Sequence, residues 1–599
     1  ARISDALGGE EAFRALAAAA RAAGLGRLLD IVPNHMATDD ANPYWADEGR
    51  RATYFDLDPA TGRHRRFFDI DHLAGVRQED PEVFASTHAL ALGLVGEGLV
   101  DGLRIDHPDG LADPAGYLER LRDGGVRHVW VEKILDPGEP LRDWPVEGTV
   151  GYEFLVDVAA LFADPAGEAP VTALWEELSG DARPFGDWAL EAKREQATGP
   201  FAADAEWLSR LWPGVDGLDE ALVSLPVYRT YVRDGEPDGE DREVLREAGI
   251  LGWFAAAPAP FRTRFQQTTP PVMAKGVEDT AFYRYVRLLA HNDVGGDPGR
   301  WSVGVDAFHT GNAERAARFP RHLLAATTHD TKRSHDVRAR LGALASLGGE
   351  WAARVRRWRE LCAPLRADGA PDPVEEYTIL QTVLGAWPID GDRLCAYMEK
   401  AMRERKVTTN WLAPDAAHEE RVFAYCRGLL ELVPFREDFD PFLERVAALG
   451  ELHGLRQTAL RLTVPGVPDI YQGDELVALS LVDPDNRRPV DWERRALLLA
   501  ELRDGAAPMS ADARKLFLIR ALLALRARRA AAFDGGGYTP LDAGPDAAAF
   551  LRGDEVAVAV PVREGGLDLD LLALPDGTWE PAFDPELLPG ASIHVLERT

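Results

Sequence analysis

Three short runs in the chain end in side chains that can do acid, base or nucleophile chemistry. In LVDGLRIDHPDG, Arg104 and Asp106 are two residues apart, so on a strand both point to one face. A guanidinium beside a carboxylate favours its ionised form, which suits a nucleophile that must stay deprotonated at neutral pH. In HVWVEK, Glu132 follows four mostly apolar residues; a carboxyl at the mouth of a buried strand is costly unless paired or used. Partial burial would raise its pKa toward the range of a general acid. In TTHDTKRSHD, His329 and Asp330 close a third run. Each signal also has a structural reading: an Arg–Asp pair, a bridge from Glu132 to Lys133, and a histidine–aspartate turn. Together, three carboxylates at three strand ends are what a retaining glycosidase needs. One attacks the anomeric carbon, a second, about 5–5.5 Å from the first, protonates the leaving oxygen, and the third stabilises the oxocarbenium-like transition state.

The elements that must carry these residues are short apolar runs ending in polar clusters. They are Arg27–Val32, Leu99–Ile105, His128–Val131, Thr149–Leu155, His322–Thr328 and Pro465–Tyr471. Such runs predict strands buried on both faces, as in a parallel sheet. Helix-patterned segments, Glu10–Ala23 and Pro81–Gly96, precede the first and second of them. Alternating strand and helix with chemistry at the strand C-termini predicts an α/β fold of the (β/α)₈ TIM-barrel type. No G-x-G-x-x-G follows any of these runs, which disfavours a doubly wound dinucleotide fold.

The expected organisation is barrel over 1–35 and 76–160, with a loop domain at 36–75. A mainly helical insertion follows at 161–320, a strand with the histidine–aspartate motif at 321–334, and a second helical insertion at 335–460. The last barrel strand and its loop fall at 461–500, and a helix with a small β domain at 501–599. Within this last part, Glu555–Val562 and Leu567–Leu572 alternate as strands do, after a helix over Ala511–Arg529. In the loop domain, Tyr44, Trp45, Tyr54 and Phe55 are either platforms for sugar rings or the loop's own small core.

Composition narrows the class. The 599 residues are 46% hydrophobic and 28% charged, ordinary for a globular chain and far from disorder. No run approaches the roughly 18 apolar residues of a membrane-spanning helix. A formal charge of −32 argues against a nucleic-acid partner. The three cysteines are scattered, with no C-x-x-C, and neither H-E-x-x-H nor a P-loop occurs, so neither a metal nor another cofactor is expected.

DIVPNH (30–35), GLRIDH (102–107), VEK (131–133) and THD (328–330) resemble, in order, four short motifs of the α-amylase superfamily. QTTPPVMAKGVEDTAFYRY, TTHDTKRSHDVRARL and PGVPDIYQGDEL followed by LVDPDNRRPVDW are similar to the maltooligosyltrehalose synthase branch of it. The resemblance implies Asp106 as nucleophile, Glu132 as acid/base and Asp330 as transition-state carboxylate. It implies that His35 and His329 bind sugar hydroxyls and that Arg104 orients the nucleophile. Lys275 would contact the reducing-end glucose, Tyr152 and His107 would line the substrate, and Asp30 and Asn34 would be architectural. The implied activity is an intramolecular transglycosylation of maltodextrin, in the cytoplasm, feeding a maltooligosyltrehalose trehalohydrolase. Two rivals are a hydrolase of α-1,4-glucan or of maltooligosyltrehalose, and an inactive glucan-binding fragment. The second arises because members of the family begin with two more barrel strands than the six found here. With no Met before Ala1, the expectation is a barrel lacking its first two strands, the chain starting inside a longer protein.

Overall fold

The computed structural model describes residues 2–599 and divides them into two compact units. Of the described residues, one unit comprises 2–150 and 189–277, the other 151–188 and 278–599.

In the first unit four parallel strands lie side by side: β1 (Leu28–Ile31), β2 (Gly102–Ile105), β3 (His128–Val131) and β4 (Gly148–Thr149). Their register pairs Asp30 with Arg104 and Arg104 with Trp130, so these three point to one face. The alternate residues Leu103, Ile105, Val129 and Val131 are buried on the other. The helix Pro81–Gly96, capped by Asp80, links the β1 region to β2. Between β1 and that helix, in the segment expected as a loop domain, lie a three-stranded antiparallel sheet and two short helices. Its aromatics resolve the earlier ambiguity: Tyr54 and Phe55 are buried with Ala74 and Val76, and Tyr44 and Trp45 pack on them. They are the loop's own core.

In the second unit β5 (Leu323–Leu324) and β6 (Val467–Pro468) form a two-stranded parallel sheet. Six of the predicted runs thus hold a parallel strand, four in one sheet and two in another; a closed barrel is not seen among the described residues. The strand expected over Thr149–Leu155 is a correction. Only Gly148–Thr149 pairs, and Tyr152–Phe162 is a helix starting from Gly151 in the left-handed region, φ 94°. An apolar run of that length fits either state, and the left-handed glycine is where the chain turns.

Long helices dominate the rest, including Gly348–Leu361, Pro373–Ala386 and the 31-residue Val433–Thr463. The terminal sheet has five antiparallel strands: β7 (Tyr538–Leu541), β8 (Ala547–Arg552), β9 (Val556–Pro561), β10 (Trp579–Pro581) and β11 (His594–Arg598). The strand expected at Leu567–Leu572 is instead a single turn, Leu569–Leu571, begun by Asp568 accepting from Asp570 N. No helix among the described residues is long and apolar enough to cross a membrane.

Candidate active site

Asp106 and Glu132 each follow directly on a paired position, Ile105 opposite Val131. They therefore leave neighbouring strands, which in a sheet lie about 4.8 Å apart. The backbone continues this pairing past the strand ends: Glu132 N donates to Ile105 O at 2.8 Å, and Asp106 N to Ile31 O at 2.8 Å. Arg104 Nη1 donates to Asp106 Oδ1 at 2.6 Å and to Asp30 Oδ1 at 3.0 Å. Burial alone would depress the guanidinium, but the carboxylates of Glu132, Asp106 and Asp30 outweigh it and raise its pKa. The cation is thus fixed between two carboxylates and aims Asp106. Asp30, which the resemblance makes architectural, is the second anchor of that cation. Its side chain is 56% exposed.

Glu132 is held from a neighbouring loop. His107 adopts φ 42°, unusual for a residue with a side chain, and its backbone N–H donates to Glu132 Oε2 at 3.1 Å. The strand-end twist at His107 therefore orients the Glu132 carboxyl.

His35 stacks on Phe67 with ring centres 3.9 Å apart. Burial, reinforced by the nearby His107 and opposed by Asp106, lowers its pKa to about 4. A neutral imidazole at physiological pH can donate from one nitrogen and accept at the other. Nδ1 is buried with no hydrogen-bond partner. His107 is likewise depressed by burial, against the pull of Asp109 and Asp106. Asn34 is buried and accepts from Arg65 Nη2 at 3.1 Å, the structural part expected of it.

Composition had marked the loop domain as aromatic without saying which aromatics reach the strand ends. They are Phe67 and Phe68, in RRFFDID. Phe68, at φ 49°, lies 5.4 Å from the His107 ring, and Phe67 lies 5.5 Å from it. Lys275 Nζ sits 5.3 Å over the Phe68 ring and 3.9 Å from Asp69 Oδ1. The structure thus brings His35, Arg104, Asp106, His107 and Glu132 together, with Lys275 joined to them through Phe68. Lys275 lies in a π-helical stretch, Ala274–Ala281, a distortion often found at functional sites.

The second unit carries the remaining predicted residues. Tyr152 Oη lies 3.0 Å from Thr328 Oγ1 and donates to Asp330 Oδ2 at 3.4 Å. His329 Nε2 is 3.1 Å from Asp330 Oδ2. Thr328 Oγ1 accepts from the backbone N–H groups of Asp330 and Thr331, at 3.1 and 3.3 Å. The turn has two further holders that sequence reasoning missed. Asn486 Nδ2 donates to His329 O at 2.9 Å, and Asp293 Oδ1 accepts from Lys332 N at 2.9 Å. Asn486 stands in the quoted segment LVDPDNRRPVDW, where only its place in a motif marked it out. Asp330 is 44% exposed and His329 34%, so both are open to a ligand.

No family model matches the chain. A putative maltooligosyl trehalose synthase of Mycobacterium tuberculosis is 34% identical, covering 97% of this chain and 88% of that one. Among solved structures, maltooligosyltrehalose synthase from Arthrobacter ramosus matches with TM-score 0.90 and 33% identity, over 100% of this chain and 93% of that one. A hypothetical maltooligosyl trehalose synthase of Sulfolobus tokodaii matches with TM-score 0.86 and 29% identity, over 100% and 92%. With a third of its residues identical over nearly its whole length, the chain belongs to the maltooligosyltrehalose synthase family.

Proposed function

We propose that the chain converts the reducing-end α-1,4 linkage of a maltodextrin into an α,α-1,1 linkage by a retaining double displacement. Asp106, aimed by Arg104, attacks the anomeric carbon of the penultimate glucose while Glu132 protonates the departing glycosidic oxygen. The freed reducing-end glucose stays bound and turns over. Glu132, now ionised, takes the proton from its anomeric hydroxyl as that oxygen attacks the glucosyl–enzyme carbon. The Asp106–carbon bond breaks, and two inversions leave the donor carbon in its original α configuration. The resemblance gives Asp330 the part of the carboxylate that stabilises the positive charge developing on the sugar ring, and His35 and His329 that of holding sugar hydroxyls. No step calls for a metal or redox cofactor.

The observation that carries this reading is the side-by-side exit of Asp106 and Glu132 from paired strands, one on a guanidinium and the other on the His107 N–H. Isomerisation rather than hydrolysis requires the leaving glucose to outcompete water. A well-held acceptor reaches an effective molarity on the order of 10⁵ M against roughly 55 M water, so positioning can decide the outcome. Lys275 and the Phe68 ring beside it offer a cation and an apolar face on which to retain that glucose. The product has no reducing end, which makes it a substrate for the trehalohydrolase implied by the resemblance.

The deciding experiment incubates the chain with maltopentaose and follows reducing ends and product length. Reducing ends should fall with no shorter sugars formed. A rise in reducing ends would make the chain a hydrolase, and no change would make it a glucan-binding protein.

A further inference from the structure

Behind the two carboxyl-bearing strand ends lies a buried ionic cluster that the chemistry does not use. Lys133, the residue after the acid, is 1% exposed and points away from solvent. Its Nζ donates to Ile134 O at 2.5 Å and to Glu139 Oε2 at 3.3 Å, and lies 3.6 Å from Asp109 Oδ2. Asp109, three residues beyond the nucleophile, is 4% exposed. It also accepts from Tyr231 Oη at 2.6 Å. Arg229, itself 1% exposed, donates to the carbonyls of Asp109 and Leu111, both at 2.7 Å. Gln267 Nε2 adds a bond to Gly110 O at 3.0 Å. At Gly110 a Cβ would come within 2.4 Å of Asn34 Oδ1, so the loop after β1 is pressed onto the same turn.

Resting on the glycosyl-transfer reading above, we propose that Lys133, Asp109 and Tyr231 form a strut that sets the spacing of Asp106 and Glu132. Lys133 belongs to the loop of the acid and Asp109 to that of the nucleophile, so their attraction ties the two loops together. Tyr231 and Arg229 come from the 189–277 segment and brace Asp109 from behind. Ion pairs buried this deeply give weak net stability but strong geometric preference, because every partner's loss leaves an uncompensated charge. Nucleophile and acid must be placed together to within a fraction of an ångström for the first displacement. Burial would depress the Lys133 ammonium, but Asp109, Glu139 and Asp136 outweigh it, so the strut keeps its cation through the neutral range. All three are positioning residues: Lys133 and Asp109 are buried and act through the loops that carry Glu132 and Asp106, and Tyr231 acts through Asp109.

Two variants and two readouts test the strut. Tyr231→Phe removes one oxygen and keeps the ring; Lys133→Met removes the cation. Amide hydrogen exchange should rise together in residues 106–111 and 132–139 of both variants, and elsewhere stay as in the parent chain. With maltopentaose, kcat should fall about tenfold with KM within about twofold, and Lys133→Arg should recover most of the Lys133→Met loss. If Lys133→Met fails to fold, Tyr231→Phe alone decides. Unchanged exchange in either loop of folded Tyr231→Phe overturns the strut, as does exchange that rises in only one of them. Raised exchange in both loops with no turnover by the parent chain would leave the strut standing and remove the glycosyl-transfer reading instead.

Discussion

Asp106 depends on a single guanidinium that also holds Asp30, so its environment is set by charge sharing. Asp106→Asn keeps the shape and the Arg104 contact but cannot attack carbon. Turnover should fall by about a thousandfold or more while maltodextrin binding is retained; calorimetric titration beside the reducing-end assay checks both, and residual activity near that of the parent would unseat Asp106. Arg104→Lys keeps the charge but replaces the rigid planar guanidinium, whose Nη1 reaches both Asp106 and Asp30, by a flexible point charge, so a loss of about tenfold in kcat is expected. His35 makes a different statement. With its folded pKa near 4 against an ordinary 6.5, the unfolded chain binds the extra proton between those values. Its contribution to stability therefore rises with pH across that window and is flat above about 6.5. In a proton NMR titration the His35 ring should remain neutral at pH 6 and titrate near 4. An inflection near 6.5 would mean that Phe67 does not seal the ring.

At the scale of elements, glycine turns decide where the site residues go. Gly151 sits at φ 94°, and a Cβ there would fall 2.1 Å from Leu323 O. Gly151→Ala must therefore push the Tyr152–Phe162 helix off β5 and pull Tyr152 from Thr328 and Asp330. We expect a loss of about 2 kcal/mol or more of stability and a drop in kcat, read by denaturant unfolding and turnover; a variant matching the parent in both would separate Tyr152 from the Asp330 turn. This region also shows what can be read from sequence. His128–Val131 was predicted to the residue, because an apolar run ending abruptly in Glu132 leaves no freedom of register. TVGYEFL misled because its apolar residues continue past the strand into a helix, and periodicity over seven residues does not distinguish the two. LDLDLL alternates like a strand, yet Asp568 caps a local turn, a competition that favours loops. Asn486, Asp293 and Tyr231 were invisible as partners: Tyr231 meets Asp109 from 122 residues away, Asn486 meets His329 from 157 and Asp293 meets Lys332 from 39, and nothing local encodes those meetings.

At the scale of the molecule, the second unit gives the terminal sheet a role that its position at the end of the chain does not suggest. Phe550, Val558 and Val560 of β8 and β9 share one core with Leu518 and Leu522, with Leu455 and Leu460, and with Phe154 and Leu161. Arg552, 1% exposed, donates to Thr463 O at 2.7 Å, and Arg563 donates to Leu161 O at 2.6 Å and Ala163 O at 2.7 Å. The sheet is thus bonded to the helix that begins with Tyr152, and that helix presents Tyr152 to Asp330. Ending the chain at residue 537 would strip Phe550, Val556, Val558, Val560, Val562 and Val595 from this core. At about 1.5–3 kcal/mol for each side chain, the loss is about 9–18 kcal/mol, as large as the roughly 5–15 kcal/mol that typically holds a folded domain. The shortened chain should consequently be insoluble or lack a cooperative melt, and it should not turn over maltopentaose. A soluble, monomeric, active product would show instead that the helices bearing Tyr152 and the Asp330 turn hold their places without the sheet.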